Sequence, residues 1–139
     1  MLQRIAIFRD VDIAKLKLIA MAGSRLHYAA GEVILRQGDP AEMVYVIMEG
    51  EAEVTRDTGS SKLTLAKVGS GALVGEIGVV LQQPYSATIT VLTDVIALQV
   101  DKSTFLELLQ QVPQLSMALI RELSRRLVRA SDLYAKAIS

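Results

Sequence analysis

Four glycines fall within ten residues, at Gly69, Gly71, Gly75 and Gly78, and the stretch they open runs on through Pro84, Tyr85, Ser86, Ala87 and Thr88. Glycine lets a backbone approach a ligand closely and take positive φ values. Residues 77–81, beginning at Ile77, can form one helical turn whose amides point at an anion, which is half of a phosphate site. The carboxylate of Glu76 can accept hydrogen bonds from a sugar hydroxyl, and Ser86 and Thr88 can donate or accept. Glycines in β-turns also occur without a ligand, so this pattern alone is weak.

Other chemistries lack their parts. Transition-metal sites and acid-base triads lean on His and Cys, and the chain has one histidine, His27, and no cysteine. His27 falls in the expected first strand and reads as structural or solvated. Glu49, Glu51 and Glu53 alternate and so share one strand face. With no further oxygen-ligand pattern they read as facing water rather than a cation. No catalytic residue, metal or cofactor is expected, and the chain does not read as an enzyme.

The composition bounds the rest. A chain of 139 residues with 51% hydrophobic and 22% charged side chains is one compact domain, too apolar for disorder. Fifteen basic against fifteen acidic residues remove the basic signature of a nucleic-acid binder. The mean hydropathy of +0.36 raises the question of membrane insertion. The longest uncharged apolar runs, at 18–23 and 43–48, fall far short of the roughly 20 residues of a spanning helix. No signal-peptide core precedes Arg9, and without cysteine there is no disulfide framework, so a cytoplasmic location is expected.

The glycine-rich stretch has to be held by flanking elements. Asp10 and Asp12 can cap a helix carrying Ile13, Leu16, Ile19 and Ala20, with Gly23 as its stop. Short strands follow at 33–36, 43–48, 52–56, 62–68, 87–92 and 95–100, the pattern of an antiparallel barrel or sandwich. Residues 57–61 supply hairpin-turn chemistry. After Asp101 the period is helical again, through Phe105, Leu108 and Leu109, until Pro113 separates a longer last helix. That helix carries Ile120, Leu123, Leu127, Ala130, Tyr134 and Ala137 along one seam. The expected parts are a helical segment at 1–23, a β-roll at 24–100 containing the stretch 69–88, and helices at 101–139.

Nearly the whole chain resembles the cyclic nucleotide-binding domain family of cAMP receptor-type regulators, cyclic-nucleotide-dependent kinases and gated channels. The resemblance runs through Ile7 and Phe8, Gly31 to Ile34, Gln37 to Pro40, and Tyr45 to Gly50. Its most specific part is the phosphate-binding cassette, matched here by Gly75, Glu76, the 77–81 turn, Pro84, Ser86, Ala87 and Thr88. The resemblance implies an eight-stranded jelly-roll barrel flanked by helices, binding cAMP or cGMP between barrel and last helix. Glu76 would hold the ribose 2′-hydroxyl. Amides from Gly75 through Ile77 to Gly78, with Ser86, would approach the phosphate and base.

One position departs from the family, which places an arginine after the cassette proline. This chain has Tyr85, and no Lys or Arg lies between Lys67 and Lys102. A neutral phenol contributes about 0.5–1.5 kcal/mol, whereas depriving a buried charge of its partner costs about 3–5 kcal/mol. Tyr85 reads as a plug or as a stacking surface for a base. Arg121, Arg125, Arg126 and Arg129 of the last helix, with Arg36 and Arg56 of the strands, are the nearest other cations, and the helical run reads as a solvated face. Two expectations follow: a regulatory sensor of weakened affinity, or a degenerate module serving oligomerisation or protein interaction. The seam of Ile120, Leu123, Leu127 and Tyr134 is expected to form a homodimer or to fold back on the barrel. The residues beyond the last helix are too few for a DNA-binding domain, so a complete cAMP receptor-type regulator is not expected.

Overall fold

A computed structural model describes residues 12–138; Ile7, Phe8 and Asp10, on which part of the resemblance and of the first cap rested, lie outside the described residues. Helix α1 (Ile13–Ala22) leads into β1 (Ser24–Tyr28), β2 (Val33–Leu35), β3 (Met43–Glu49), β4 (Ala52–Asp57), β5 (Lys62–Val68) and β6 (Leu73–Val74). The short helix α2 (Glu76–Leu81) precedes β7 (Thr88–Val91) and β8 (Val95–Asp101), and the chain closes with α3 (Lys102–Gln111) and α4 (Pro113–Ile138). Among the described residues eight strands form two antiparallel four-stranded sheets, ordered β1-β8-β3-β6 and β2-β7-β4-β5, which are not hydrogen-bonded into the single closed barrel that the resemblance implies.

The two sheets share one core. Ile47, Val95 and Ala97 from one sheet and Ala52 and Val91 from the other are fully or almost fully buried, and Phe105, Leu108, Leu115 and Leu119 of the last two helices join the same cluster. Strand β3 is buried at four consecutive positions because it lies between β8 and β6 and is covered on both faces. The edge strand β5 pairs on one side only and is exposed on both faces through most of its length, Leu63 and Leu65 included, although its sequence alternates.

The N-terminal helix differs in detail from expectation. Leu16 and Ile19 go into the core while Ile13 faces out. Asp12 occupies the N-cap position without a side-chain cap bond. Gly23 ends the helix in an extended conformation. A Cβ there would lie 2.7 Å from Leu98 Cδ1, so the glycine permits close approach to β8. The cap that forms a bond is Asp101, whose carboxylate accepts the Thr104 N–H at 2.8 Å and starts α3.

Strand β6 was not anticipated. Its two residues sit between Gly71 and Gly75, too short to show any alternation, yet they pair with Tyr45 and Val46 and deliver the chain to the start of α2.

Candidate functional site

Gly75 is the hinge of the site. It holds φ +86° as the N-cap of α2, and a Cβ there would come within 2.9 Å of the Met43 carbonyl and 3.2 Å of Tyr85 Cε1. Only glycine takes that conformation in that space without strain. The chain then enters α2, where Val79 is fully buried and Glu76 is 3% exposed.

Glu76 is thereby turned inward, against a cavity of about 910 Å³. Arg126 Nη1 of α4 donates to its Oε1 at 2.6 Å, and Arg126 Nη2 reaches the Leu73 carbonyl at 3.4 Å. Burial pushes the Glu76 carboxyl above its ordinary 4.5, and the Arg126 guanidinium pulls it back only in part. Such a carboxylate, bonded to one guanidinium, retains acceptor sites for a further donor.

Tyr85 sits on the core side of this wall, 8% exposed. Its hydroxyl donates to the Met43 carbonyl at 2.6 Å and accepts the Met43 N–H at 3.1 Å. Its own backbone pairs with Gly38 and Asp39. Gly78 is packed beneath the same ring, since a Cβ there would lie 3.5 Å from Tyr85 Cδ1 and 2.8 Å from Ala41 Cβ. Two of the four cassette glycines thus make room for Tyr85 and its neighbours.

The structure brings Gly75, Glu76, Ile77, Gly78, Tyr85, Ser86 and Ala87 to the cavity wall. The Thr88 hydroxyl accepts the Gln37 N–H at 3.0 Å. Arg121, Arg125, Arg126 and Arg129 of α4 line the opposite, open side of the cavity; Arg121, Arg125 and Arg129 are exposed, in keeping with the solvated face expected from the sequence, and Arg126 is half-buried against Glu76. Glu122 lies among them, 3.4 Å from Arg125, 3.4 Å from Arg126 and 3.8 Å from Arg129. Arg56 comes to the cassette from β4, its Nε donating to the Ser86 carbonyl at 3.0 Å.

The last helix does not fold its seam back. Ile120, Leu127 and Tyr134 are 55%, 68% and 68% exposed, and only Leu123 of that set packs against the core. Contacts of α4 with the core are made nearer its start, by Leu115 and Leu119.

The cyclic nucleotide-binding domain matches over residues 25–112, from β1 to the end of α3. The chain belongs to the cyclic nucleotide-binding domain family. A protein of the NTE family from Mycobacterium tuberculosis is 27% identical over 126 residues, which cover 91% of this chain and 21% of that protein. The cAMP-dependent protein kinase regulatory subunit of Dictyostelium discoideum is 29% identical over 118 residues, covering 82% of this chain and 36% of the subunit. Among solved structures, the catabolite activator protein of Thermus thermophilus superposes with a TM-score of 0.84 at 27% identity, over 96% of this chain and 63% of that one. The chain therefore spans a fifth to under two-thirds of the length of these relatives. Among the described residues no helix is long and apolar enough to cross a membrane.

Proposed function

We propose that this domain is a non-catalytic regulatory sensor whose cavity takes a cyclic mononucleotide, cAMP or cGMP, with weakened affinity. The observation that carries the reading is Glu76, buried and aimed into a 910 Å³ cavity between the cassette and α4. Its carboxylate is suited to a ribose hydroxyl, and the backbone from Gly75 to Gly78, with Ser86 and Ala87, is suited to the phosphate and base. The regulatory subunit of Dictyostelium, named for cAMP dependence, supports the choice of ligand class. The two four-stranded antiparallel sheets are consistent with the halves of a jelly roll.

Weak affinity follows from the cassette wall. Tyr85 stands where the family has arginine, and its hydroxyl is engaged at both ends by Met43. Arg126 couples the site to α4, because a ribose hydroxyl at Glu76 shares the acceptor that holds that helix. Occupancy is then transmitted through α4, and its exposed Ile120, Leu127 and Tyr134, with Leu123, form a homodimer contact.

Calorimetric titration with cAMP and with cGMP tests the reading. Saturable binding weaker than about 1 μM, lost in Glu76→Ala, is the expected result. The bound Tyr85 hydroxyl and a cassette with no cation of its own also favour a second reading, a degenerate module that acts through protein contacts. Absence of any binding at millimolar nucleotide, with the fold intact, selects that one.

A further inference from the structure

We propose that Arg56 takes the charge of the ligand's phosphate, reaching the cassette from β4 in place of an arginine at position 85. This rests on the reading that the cavity takes a cyclic mononucleotide, and it names the residue that sets affinity for the phosphate.

Strand register puts Arg56 on the cavity side. Strand β4 pairs with β7 through Ala52↔Val91, Val54↔Ile89 and Thr55↔Thr88, without a shift. Val54 and Ile89 both line the cavity, as do Ser86 and Ala87 just before β7. Side chains alternate along a strand, so Arg56 follows Val54 on that face, beside Ser86 and Ala87. Its Nε donates to the Ser86 carbonyl at 3.0 Å. Arg56 is exposed, so it stands at the rim of the cavity rather than inside it.

The rim holds this strand end in place. Asp57, the next residue, donates its N–H to Gln37 Oε1 at 2.7 Å, and its carbonyl accepts from Gln37 Nε2 at 3.0 Å. The Gln37 N–H in turn donates to the Thr88 hydroxyl at 3.0 Å. The end of β4, the residue Gln37 and the start of β7 are thereby tied together, which fixes the Arg56 backbone relative to Ser86 before a ligand arrives and lowers the ordering cost of binding.

Charge is the remaining ground. A guanidinium has five N–H donors, and the uncharged Ser86 carbonyl takes the one at Nε. The four at Nη1 and Nη2 have no partner among the described residues, and no carboxylate of those residues forms an ion pair with Arg56. Arg126 by contrast is paired with Glu76, and Arg125 and Arg129 share Glu122. Lys67 lines the cavity but stands opposite Glu53 in the β4–β5 register. The Ser86 hydroxyl also has no partner among the described residues and can donate to the same phosphate. A rim cation is screened by water and salt, so it holds the charge less firmly than a buried arginine, in keeping with weakened affinity.

The test is calorimetry on the full chain with cAMP, cGMP and the uncharged nucleosides adenosine and guanosine, at 50 and 500 mM salt. Arg56→Gln should weaken the cyclic nucleotide by about tenfold, the low end for a hydrogen bond to a charged group, and should remove the salt dependence of its binding. The matching nucleoside should stay within about twofold. Arg56→Lys keeps the charge and should recover most of the loss. Lys67→Gln should change neither ligand. Equal losses of cyclic nucleotide and nucleoside in Arg56→Gln would mean that Arg56 only holds the Ser86 turn, and would overturn the proposal. So would an unchanged cyclic nucleotide affinity, or a loss confined to Lys67→Gln. Where the nucleosides bind too weakly to register, salt decides, and a salt dependence that persists in Arg56→Gln overturns it. These outcomes leave the cyclic nucleotide reading standing. A wild-type chain that binds neither cyclic nucleotide removes that reading and the proposal together.

Discussion

Replacing Tyr85 by Phe removes one oxygen and keeps the ring beneath Gly75 and Gly78. The lost hydroxyl donates to the Met43 carbonyl and accepts the Met43 N–H, a two-bond clasp between the cassette and the start of β3. Each such bond contributes about 1 kcal/mol net, so the variant should lose about 2 kcal/mol. For a domain of this size that corresponds to a fall in Tm of roughly 6–10 °C, read by circular dichroism. Because the clasp holds the hydroxyl away from the ligand, cAMP affinity should stay within about twofold. The companion Tyr85→Arg gives up the same clasp, but its guanidinium can extend into the cavity and form a bidentate phosphate contact. Its binding should tighten by about 30-fold to 150-fold, equivalent to about 2–3 kcal/mol, at a comparable loss of stability. An unchanged Tm in Tyr85→Phe together with weakened cAMP binding would refute the reasoning, because the hydroxyl would then be serving the ligand.

The Arg126→Ala variant leaves the buried Glu76 carboxylate without its guanidinium and should cost about 1.5–3 kcal/mol at pH 7, measured by urea unfolding. Glu76 itself titrates above its ordinary 4.5 in the folded protein, so its proton stabilises the fold fully below that value and the benefit is lost as pH rises through the raised pKa. Melting curves from pH 4 upward should show this decline in the wild type and its absence in Glu76→Gln; equal slopes would contradict the burial argument. Gly75→Ala should destabilise by at least about 2 kcal/mol, since alanine is strained at φ +86° and its Cβ meets Met43 and Tyr85, and a melt within 2 °C of wild type would contradict that packing. Leu127→Arg, 68% exposed in the single chain, should convert a dimer to a monomer in sedimentation without loss of Tm, whereas a wild type that is monomeric at high concentration removes the dimer.

Element type and order were readable wherever periodicity was long enough to register. The apolar runs of β3 and β8, the alternation of β5 and the helical spacing from Phe105 onward each span five residues or more, and each forms the expected element. Two-residue β6 carries no period, and its pairing with β3 depends on a neighbour nearly thirty residues away. The cassette residues were found because type and spacing together mark them. What spacing could not give was partners: Tyr85 and Glu76 lie nine positions apart and both reach the cavity wall, but the Tyr85 hydroxyl is held by Met43 and the Glu76 carboxylate by Arg126 of α4.

The arginines of α4 show the same limit from the other side. A run of four reads as a solvated face because isolated helices in water usually present one. Here α4 is anchored at its beginning by Leu115 and Leu119, and that anchorage carries the later turns across the cavity mouth. Arg126 is thereby brought half-buried onto Glu76, while Arg121, Arg125 and Arg129 line the cavity mouth and stay solvated, as do Ile120, Leu127 and Tyr134. Met43 and the two glycines hold Tyr85 against the core, so the cassette has shape and a carboxylate but no cation of its own, and Arg56 reaches Ser86 from β4. The Arg126–Glu76 pair, 2.6 Å apart, joins the cassette to α4. On the proposed function, a hydroxyl at Glu76 shares the acceptor that Arg126 uses to hold α4, which is the physical basis for reading this cavity as a sensor rather than a store.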